Sequence, residues 1–335
     1  MIELSKSYIP LLDEVYQNAS LTQDLNSDNL LTKAGDSPNE IKIPKLSMSG
    51  LGNYSRNSGY TKGKVNLKYE TVKFNYDRGA KFEVDYLDNE ETAEVAFGML
   101  GAEFERTMVA PEGDAFTFAV LAGKEGISKI QADLNDGIEI RDALRKGITV
   151  MDNDKVPRNQ RILYIKTGYK GLVDDLDTTK SKEIFNRFDK IVEVPESEFY
   201  TAIALNDIED EENGLNGGYD KLAPEFKKSE DTSVEEGKTY YTVDEKGIYS
   251  KVSKPTGNPV TNSYYEISKE GGKNINFLIV HKPAVIKYDK RKANNIITPE
   301  ENQTSDAYMQ KYRKYGLVEV YENKLAGIYL HYATK

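Results

Sequence analysis

The apolar positions between residues 76 and 122 predict a strand that runs directly into the longest helix of the chain. Phe82, Val84 and Tyr86 alternate with mostly polar residues, and a period of two favours a strand with one better-buried face. The residues that follow show helical spacing. One apolar stripe contains Ala93, Ala96, Phe97, Leu100, Phe104 and Met108, and a second contains Val95, Met99, Ala102 and Val109. Two stripes predict a helix that is covered on two sides.

Signals at both ends delimit this helix. Asp88 is a candidate N-cap, and Glu91 completes an Asp variant of the capping box at the positive end of the helix. Pro111 interrupts the apolar pattern and is predicted to begin a second helix, which carries Phe116 and Leu121. No residue of this element forms an obvious active site.

Two alternating segments upstream predict a long hairpin. Residues 41–48 and 65–76 are strand candidates, and the tip between them, SGLGNYSRNSGYTKG, is rich in Gly, Asn and Ser. A hairpin of this length cannot bury both faces alone, so we expect it to need a partner surface. The alternative is a hairpin folded back on its own domain. Before it, residues 8–26 have helix-like spacing weakened by Pro10, and residues 24–40 have linker composition.

The middle of the chain alternates between helical and strand patterns, which implies helices packed on a sheet. Residues 127–150 have helical spacing, whereas compact apolar runs at 161–165, 190–194 and 274–280 predict strands. The last run, NINFLIV, is almost continuously apolar, which is typical of a central strand covered on both faces.

The C-terminal region predicts a second hairpin. Residues 306–321 read as a long strand, and residues 325–332 are predicted to be its hairpin partner. The motif YMQKYRKYG interleaves aromatic and basic residues. This pattern fits a single-stranded nucleic-acid surface or a strand with one buried and one solvated face, and the second interpretation is favoured.

Residues 207–236 contain eleven acids and three lysines. A solvated surface explains this run, because the ligand spacing of a calcium-binding EF-hand is missing. Residues 239–268 then combine five tyrosines with short alternating runs and turn signals, which predicts a small inserted β module. Its tyrosines fit either a core or a glycan- or protein-binding face.

The composition excludes several kinds of chemistry. The 335 residues include no cysteine, which removes thiol nucleophiles, thiolate metal sites and disulfides. The two histidines, His281 and His331, are too few for metal cages, and His281 at a strand end is expected to be a packing residue. No apolar run approaches the roughly 18 residues that span a bilayer, so we expect a soluble cytoplasmic protein. The net charge of -10 argues against direct wrapping of nucleic acid.

No catalytic motif is present in the sequence. It has neither a GxxxxGK phosphate loop followed by Ser or Thr nor a GxSxG nucleophile elbow. Carboxylate pairs are abundant, but none stands in an apolar setting that would raise the pKa of one member. We therefore predict no catalytic residue, no cofactor-binding residue, no metal ligand and no cofactor.

Several long phrases in a fixed order resemble the major capsid proteins of tailed bacteriophages. They are DRGAKFEVDYLDNEET, PEGDAF, ALRKGITVMDNDKVPRNQRILYIKTGYKGLV and NFLIVHKPAVIKYDKRK. The resemblance covers nearly the whole chain except about residues 212–272. It implies an α+β Hong Kong 97-type major capsid fold with an N-terminal arm, an extended β-hairpin loop, a spine helix at 85–109, peripheral and axial domains and a small inserted β domain.

The resemblance also implies a division of the chain. The expected parts are an N-terminal arm at 1–35, an extended loop at 36–80, a peripheral domain with the spine helix at 81–126 and 301–335, an axial domain at 127–211 and 273–300, and an inserted surface domain at 212–272. The arm is expected to order only on assembly, and the extended loop is expected to lie across a neighbouring subunit.

The implied function is structural and not enzymatic. The resemblance implies self-assembly as hexamers and pentamers into an icosahedral shell around double-stranded phage DNA. Expected partners are other copies, a scaffolding protein, a portal, decoration proteins and non-specifically packaged DNA, with no membrane. A separate scaffold or a cleaved precursor is expected because no N-terminal scaffolding domain is obvious, and no covalent cross-linking pair is predicted. The expected location is the virion, after assembly in the host cytoplasm.

Two alternatives stay open. The first is an encapsulin-like nanocompartment shell that encloses protein cargo. The second is a glycan-binding or glycan-acting protein that uses the Tyr-rich insertion.

Overall fold

A computed structural model describes most of the chain. The described residues are 19–27, 33–34, 39–57, 59–87, 101, 103–176, 178–208, 217–229, 238–244, 248–252 and 264–334. The α-helices whose bounds they contain are α1 (Ala110–Gly123), α2 (Gly137–Asn153), α3 (Thr167–Asp174) and α4 (Thr179–Phe185). In this part of the chain, no helix is both long and apolar enough to cross a membrane.

Strands outnumber helices among the described elements. In chain order they are β1 (Lys33–Ala34), β2 (Glu40–Met48), β3 (Val65–Lys73), β4 (Tyr76–Asp85), β5 (Ser128–Gln131), β6 (Arg161–Lys166), β7 (Lys190–Val194), β8 (Ile203–Leu205), β9 (Tyr219–Lys221), β10 (Glu225–Lys228), β11 (Tyr241–Val243), β12 (Tyr249–Lys251), β13 (Tyr265–Lys269), β14 (Ile275–His281), β15 (Val285–Ile297), β16 (Ala307–Val320) and β17 (Ile328–Tyr332).

A five-stranded sheet in the order β5-β17-β14-β6-β7 carries the main core. All seven residues of β14 are buried, which confirms the prediction of a central strand. Leu278 and Val280 of this strand pack with α1 on one face, whereas Phe277 and Ile279 pack with α2 on the other. The near-continuous apolar run therefore reflects helices on both faces of the sheet.

Helix α2 begins later than its apolar spacing predicts. Asp136 caps it, since the Asp136 carboxylate accepts a hydrogen bond from the Glu139 N–H at 2.7 Å. The helical prediction for residues 127–150 is thus wrong at its start, where β5 forms the edge strand parallel to β17. At the first helical position, a Cβ on Gly137 would lie 2.1 Å from the Leu172 carbonyl oxygen, so a side chain there would force α3 away.

A second sheet, β15-β16-β4, is fully antiparallel and contains the longest strands. Strand β4 alternates buried or half-buried with exposed residues, as predicted for the strand before the spine helix. The predicted hairpin of 306–321 with 325–332 is wrong. A 3-10 turn at Glu322–Gly327 carries the chain to the other sheet, where β17 pairs with β14 and β5. Because residues 328–331 are all buried, β17 suits a sheet covered on both faces.

The division into domains stays a prediction, but strand pairing differs from the expected boundaries at two strands. Strand β15 pairs with β16, although its residues were grouped with the axial domain. Strand β17 joins the five-stranded sheet, although its residues were grouped with the peripheral domain.

Most of the predicted spine helix, including Asp88, Glu91 and Leu100, lies outside the described residues. Its last turns are described and form a π-helix at Glu105–Val109, in which the Ala110 N–H bonds to the Glu105 carbonyl. Pro111 explains the wider turn, because proline lacks an N–H and its ring crowds the carbonyl four residues earlier. Helix α1 then holds Pro111 in its first turn, as predicted.

Charged side chains join this helical segment to the second sheet. Arg78, Lys314 and Lys292 are direct neighbours across β4, β16 and β15. Lys292 Nζ lies 3.4 Å from the carboxylate of Glu105, and Arg78 Nε lies 2.9 Å from that of Glu112. Two acids spaced two helical turns apart thus meet a row of cations, which aligns the helix with the strands.

The described part of the N-terminal arm packs on the same subunit. The Asp114 carboxylate accepts hydrogen bonds from Ser20 Oγ at 2.8 Å and from the Leu21 N–H at 2.6 Å. Leu25 is fully buried in the main core. The expectation that the arm orders only on assembly is therefore wrong for residues 19–27.

The inserted region contains the predicted small β module. A four-stranded sheet runs in the order β10-β13-β11-β12, and β8 pairs with β9 where the chain enters it. The rings of Phe226 and Tyr249 stack at 3.9 Å, and Tyr241 contacts Phe226 at 5.0 Å. Tyr240 is fully buried. This mutual packing is typical of a core, and the described residues add no support for glycan binding.

Candidate assembly surface

The hairpin of β2 and β3 carries several exposed apolar side chains. Nine residue pairs join the two strands, from Glu40 opposite Lys73 to Met48 opposite Val65. The strand predictions at 41–48 and 65–76 are confirmed, except that β3 ends at Lys73 and β4 begins at Tyr76.

The root of the hairpin is fixed to the second sheet. Ile41, Ile43 and Val72 form a buried cluster with Ile286 of β15 and Leu317 of β16. Asn75, which links β3 to β4, also bonds to both backbone groups of Val318, at 2.8 Å and 3.1 Å. Further out, Lys45 pairs with Glu322. The hairpin therefore leaves the subunit at a defined angle.

The outer half of the hairpin has one apolar face. Residues directly opposite in an antiparallel pair share a face, and Leu46 lies opposite Leu67 while Met48 lies opposite Val65. We name this face the apolar strip, and it consists of Leu46, Met48, Val65, Leu67 and Tyr69. These five residues are between 42% and 71% exposed in the single chain.

The other face of the outer hairpin is polar, with Lys45, Ser47, Asn66 and Lys68. Burial of one large aliphatic side chain contributes about 1.5–3 kcal/mol. Covering the apolar strip would therefore contribute a large favourable free energy that the single chain lacks. Contiguous exposed apolar patches of this kind mark interaction sites. A two-stranded ribbon with an uncovered apolar face is a surface that favours a protein partner.

The tip beyond the strip is basic and locally ordered. Ser55 and Gly59 exchange two backbone hydrogen bonds, at 2.8 Å and 3.2 Å, and Gly59 takes a positive φ of 74° that suits glycine. The rings of Tyr54 and Tyr60 pack edge to face at 5.0 Å, although both residues are exposed. Residues 49–64 include three basic residues and no acid.

A concave apolar surface lies elsewhere on the subunit, between β4, β16 and the helical segment at 103–109. We name it the groove, and its cavity measures about 480 Å³. The described residues that line it are Tyr76, Arg78, Gly79, Ala80, Phe82, Glu103, Phe104, Thr107, Met108, Val109, Glu112, Ile208, Gly217, Gly218 and Tyr312. Met108 is 58% exposed, so its predicted place in a buried stripe is wrong within the single chain.

Arg78 organises the polar end of the groove. It donates hydrogen bonds to the Glu112 carboxylate at 2.9 Å and to the Asn206 carbonyl at 2.7 Å. Burial lowers the pKa of the Arg78 guanidinium, but the hydrogen bond and charge of Glu112 outweigh burial and the net shift is upward. Arg78 therefore stays charged and ties β4 to α1 and to the chain entering the inserted region.

Both histidines lie in packed surroundings. His281 is buried at the end of β14. His331 stacks on Phe277 with ring centroids 5.0 Å apart, and its Nδ1 lies 3.0 Å from Asn276 Nδ2. Burial lowers the pKa of His331 to about 4. Among the described residues, no group of three or more His, Asp or Glu side chains is placed to hold a metal ion, and the expected lack of a metal or cofactor site stays a prediction.

One carboxyl group with a raised pKa was not predicted from the sequence. Burial, with a smaller contribution from the negative charge of Asp114, raises the pKa of Glu198 to about 7. Glu198 lies in a 3-10 turn, Glu196–Glu198, that contacts α1. No local pattern signals this, because the buried surroundings come from an element far away in sequence.

Comparison with solved structures identifies the fold. A mature capsid of bacteriophage PhiM1 matches with a TM-score of 0.52 and 13% identity, over 90% of this chain and 83% of that chain. The capsid of cyanophage P-SCSP1u matches with a TM-score of 0.51 and 11% identity, over 95% and 89%. A virus-like particle from Pyrococcus furiosus matches with a TM-score of 0.52 and 10% identity, over 98% and 100%.

These matches confirm the predicted α+β Hong Kong 97-type capsid fold, and at such identities they establish the fold alone. No protein-family model and no curated protein matches the sequence.

Proposed function

We propose that this protein is a structural capsid protein that self-assembles, as hexamers and pentamers, into an icosahedral shell around double-stranded phage DNA. The observation that carries the proposal is the apolar strip on a hairpin with a fixed root. In a capsid fold, such a surface is explained by burial against a neighbouring copy.

The structure of the hairpin suits an interface between two copies of the chain. Its root is held by buried contacts, so the outer half projects at low entropic cost on binding. Its apolar face belongs to a two-stranded ribbon, which cannot form a core of its own. Burial on a second copy would cover the apolar face while the root stays fixed to its own subunit.

The wider proposal follows from the same function. Interaction with packaged DNA is non-specific, which suits a chain with a net charge of -10. A scaffolding protein, a portal and decoration proteins are the proposed partners, the proposed role is non-enzymatic, and the proposed location is the virion after assembly in the host cytoplasm.

Electron microscopy and light scattering of the purified protein test the proposal. We expect uniform closed particles, or hexamers and pentamers that convert to particles as the protein concentration rises. A stable monomer across all assembly conditions would contradict the proposal.

A second candidate function is an encapsulin-like shell that encloses protein cargo. The match to the virus-like particle from Pyrococcus furiosus favours it, because that match spans 98% of this chain and all of the other. The contents of purified particles separate the two candidates. Nuclease-protected DNA supports the phage shell, whereas one stoichiometric co-purified protein without DNA supports the cargo shell.

A further inference from the structure

We propose that Arg78 is a positioning residue that fixes the inserted β module in one orientation relative to β4 and the hairpin root. The module is the four-stranded sheet β10-β13-β11-β12, which is separate from the two large sheets. We name the chain that carries the module the neck, and it consists of residues 201–208, 217–224 and 271–274. The inference concerns the single chain, so it goes beyond the proposed shell function and does not depend on it.

Backbone hydrogen bonds join the three segments of the neck. Strand β8 pairs with β9, and the Leu222 N–H also donates to the Ala202 carbonyl at 3.2 Å. The segment that leaves the module is bonded to both of them. The Gly272 N–H donates to the Leu222 carbonyl at 2.8 Å, and the Thr201 N–H donates to the Lys273 carbonyl at 2.9 Å. Three bonded passes of chain therefore stand where a flexible linker would leave the module free to turn.

Close packing and side chains stiffen the neck further. A Cβ on Gly272 would lie 2.2 Å from the Ala202 carbonyl oxygen, so the segments approach each other as closely as glycine allows. Lys221 Nζ donates to Asn274 Oδ1 at 2.9 Å, and Asn274 Nδ2 donates to the Glu196 carboxylate at 2.9 Å. These bonds tie the neck to the 3-10 turn that contacts α1.

The Arg78 guanidinium connects the neck to the second sheet. Its Nη2 donates to the Asn206 carbonyl at 2.7 Å and to the Gly218 carbonyl at 3.2 Å. Its Nη1 donates to the Asp207 carboxylate at 3.3 Å. Nε and Nη2 also donate to the two oxygens of the Glu112 carboxylate, at 2.9 Å and 3.3 Å. One side chain thus binds α1 and two segments of the neck, which the planar fork of arginine permits and the single ammonium of lysine does not.

Arg78 also lies in the strand that continues from the hairpin. Asn75 links β3 to β4 and bonds to both backbone groups of Val318 in β16. Arg78 follows three residues later and lies opposite Lys314 of the same strand. The hairpin root and the neck are therefore both attached to β4. A module with a fixed orientation loses less conformational entropy when a partner binds the module and the rest of the subunit together.

Distance measurements between two spin labels test the proposal, and the natural chain contains no cysteine that would interfere. In the unassembled chain, the labels are attached through Ser250→Cys in β12 of the module and Ile138→Cys in α2, and both positions are exposed. We expect one narrow distance distribution with Arg78 in place. Arg78→Lys keeps a charge beside Glu112 but loses the fork, so the distribution should become about two-fold broader.

Arg313→Lys is the matched control for this substitution. Arg313 also forms a two-bond fork, which joins it to the Asp77 carboxylate at 2.9 Å and 2.7 Å. It lies opposite Gly79 in the same sheet, and its fork binds Asp77 instead of the neck. The distance distribution of the Arg313→Lys chain should therefore stay narrow.

Hydrogen exchange gives an independent measurement on the same chains. The Asn206 N–H donates to the Gly218 carbonyl at 3.0 Å, beside the two carbonyls that Arg78 binds. In Arg78→Lys we expect this amide to exchange about ten-fold faster, whereas the amides of β14 should keep their exchange rates. Equal acceleration in β14 would indicate general destabilisation and would contradict a positioning role.

The outcomes decide the proposal independently of assembly. A broad distance distribution in the unsubstituted chain overturns it, as do equal widths for Arg78→Lys and the unsubstituted chain or equal broadening by Arg313→Lys. If Arg78→Lys fails to fold, Arg78→Gln combined with Glu112→Gln removes the cation together with its buried partner and allows the same measurement. Failure of the unsubstituted protein to form particles would contradict the shell function and would leave these distances unaffected.

Discussion

Strand β14 and the outer hairpin of β2 and β3 both carry a run of apolar side chains, but these are buried in β14 and exposed in the hairpin. All seven residues of β14 are buried, because helices of the same chain cover both faces of its sheet. The outer hairpin has an equally apolar face, yet residues such as Met48 and Val65 are 70% and 71% exposed. The contrast separates apolar residues that fold the subunit from apolar residues that stay exposed in the single chain.

The largest effect is expected from a charge in the centre of the first region. Leu278→Asp places a carboxylate at a fully buried position of β14, and an unpaired buried charge costs several kcal/mol, comparable with the whole stability of a domain. We expect insoluble or unfolded protein by circular dichroism. A folded, soluble Leu278→Asp chain would remove the distinction between the two regions.

The same substitution in the apolar strip is expected to spare the subunit. Leu67→Asp changes an exposed residue. The free energy of unfolding of the unassembled chain, measured by thermal unfolding, should therefore change by no more than about 0.5 kcal/mol, as for other surface substitutions. Assembly measured by light scattering should be lost, because the charge is buried without a partner at the interface. Asn66→Asp, on the opposite face, is the matched control and should still assemble. Unchanged particle yield from Leu67→Asp would show that the strip stays exposed in the shell.

Removal of the hairpin tip is expected to have an intermediate effect. Deletion of residues 50–63 removes Tyr54, Tyr60 and two of the three basic tip residues but leaves the root contacts intact. We expect a folded subunit with the same circular dichroism spectrum and strongly reduced particle yield by electron microscopy. Full particle yield would restrict the assembly surface to the strip alone.

The smallest effect concerns the half-buried carboxyl group of Glu198. The pKa of Glu198 is raised from 4.5 to about 7 in the fold, so the folded state holds its proton more tightly than the unfolded chain. Stability should therefore fall as pH rises from about 4.5 to 7. Glu198→Gln should remove this loss, with a gain of about 1–2 kcal/mol at pH 8 after allowance for partial exposure.

Denaturant unfolding of the unassembled chain at pH 4 and pH 8 measures this prediction. Glu196→Gln is the matched control, because Glu196 belongs to the same turn and its side chain is 51% exposed. Equal stability of Glu198→Gln and the unsubstituted chain at pH 8 would contradict the raised pKa of the half-buried Glu198 carboxyl.

Local patterns predicted the strands well because their signal is contained in a few consecutive residues. The runs at 190–194 and 274–280 were recognised almost to the residue, as was the long strand at 306–321. Pairing was harder to predict. The hairpin of 306–321 with 325–332 was inferred from proximity in sequence, whereas β17 crosses to the other sheet because its residues require cover on both faces.

The candidate site was recognised only in part. The alternation of Val65, Leu67 and Tyr69 with polar residues predicted one strand of a long hairpin that cannot bury both faces alone and needs a partner surface. The groove was not predicted, since its lining combines β4, β16, the turns before Pro111 and the chain around Gly217. Such a surface exists only when distant segments meet, and no local period encodes it.

By itself, the sequence determined most of the strands and helices, the lack of thiol chemistry, and the presence of a long hairpin that needs a partner surface. Only the tertiary structure decided that β14 is covered by its own chain while the apolar strip is not. The physical reason is that periodicity reports which side chains share a face, whereas burial depends on which other surface reaches that face. For β14 that surface lies in the same subunit, and for the apolar strip the proposed function supplies it from a second copy.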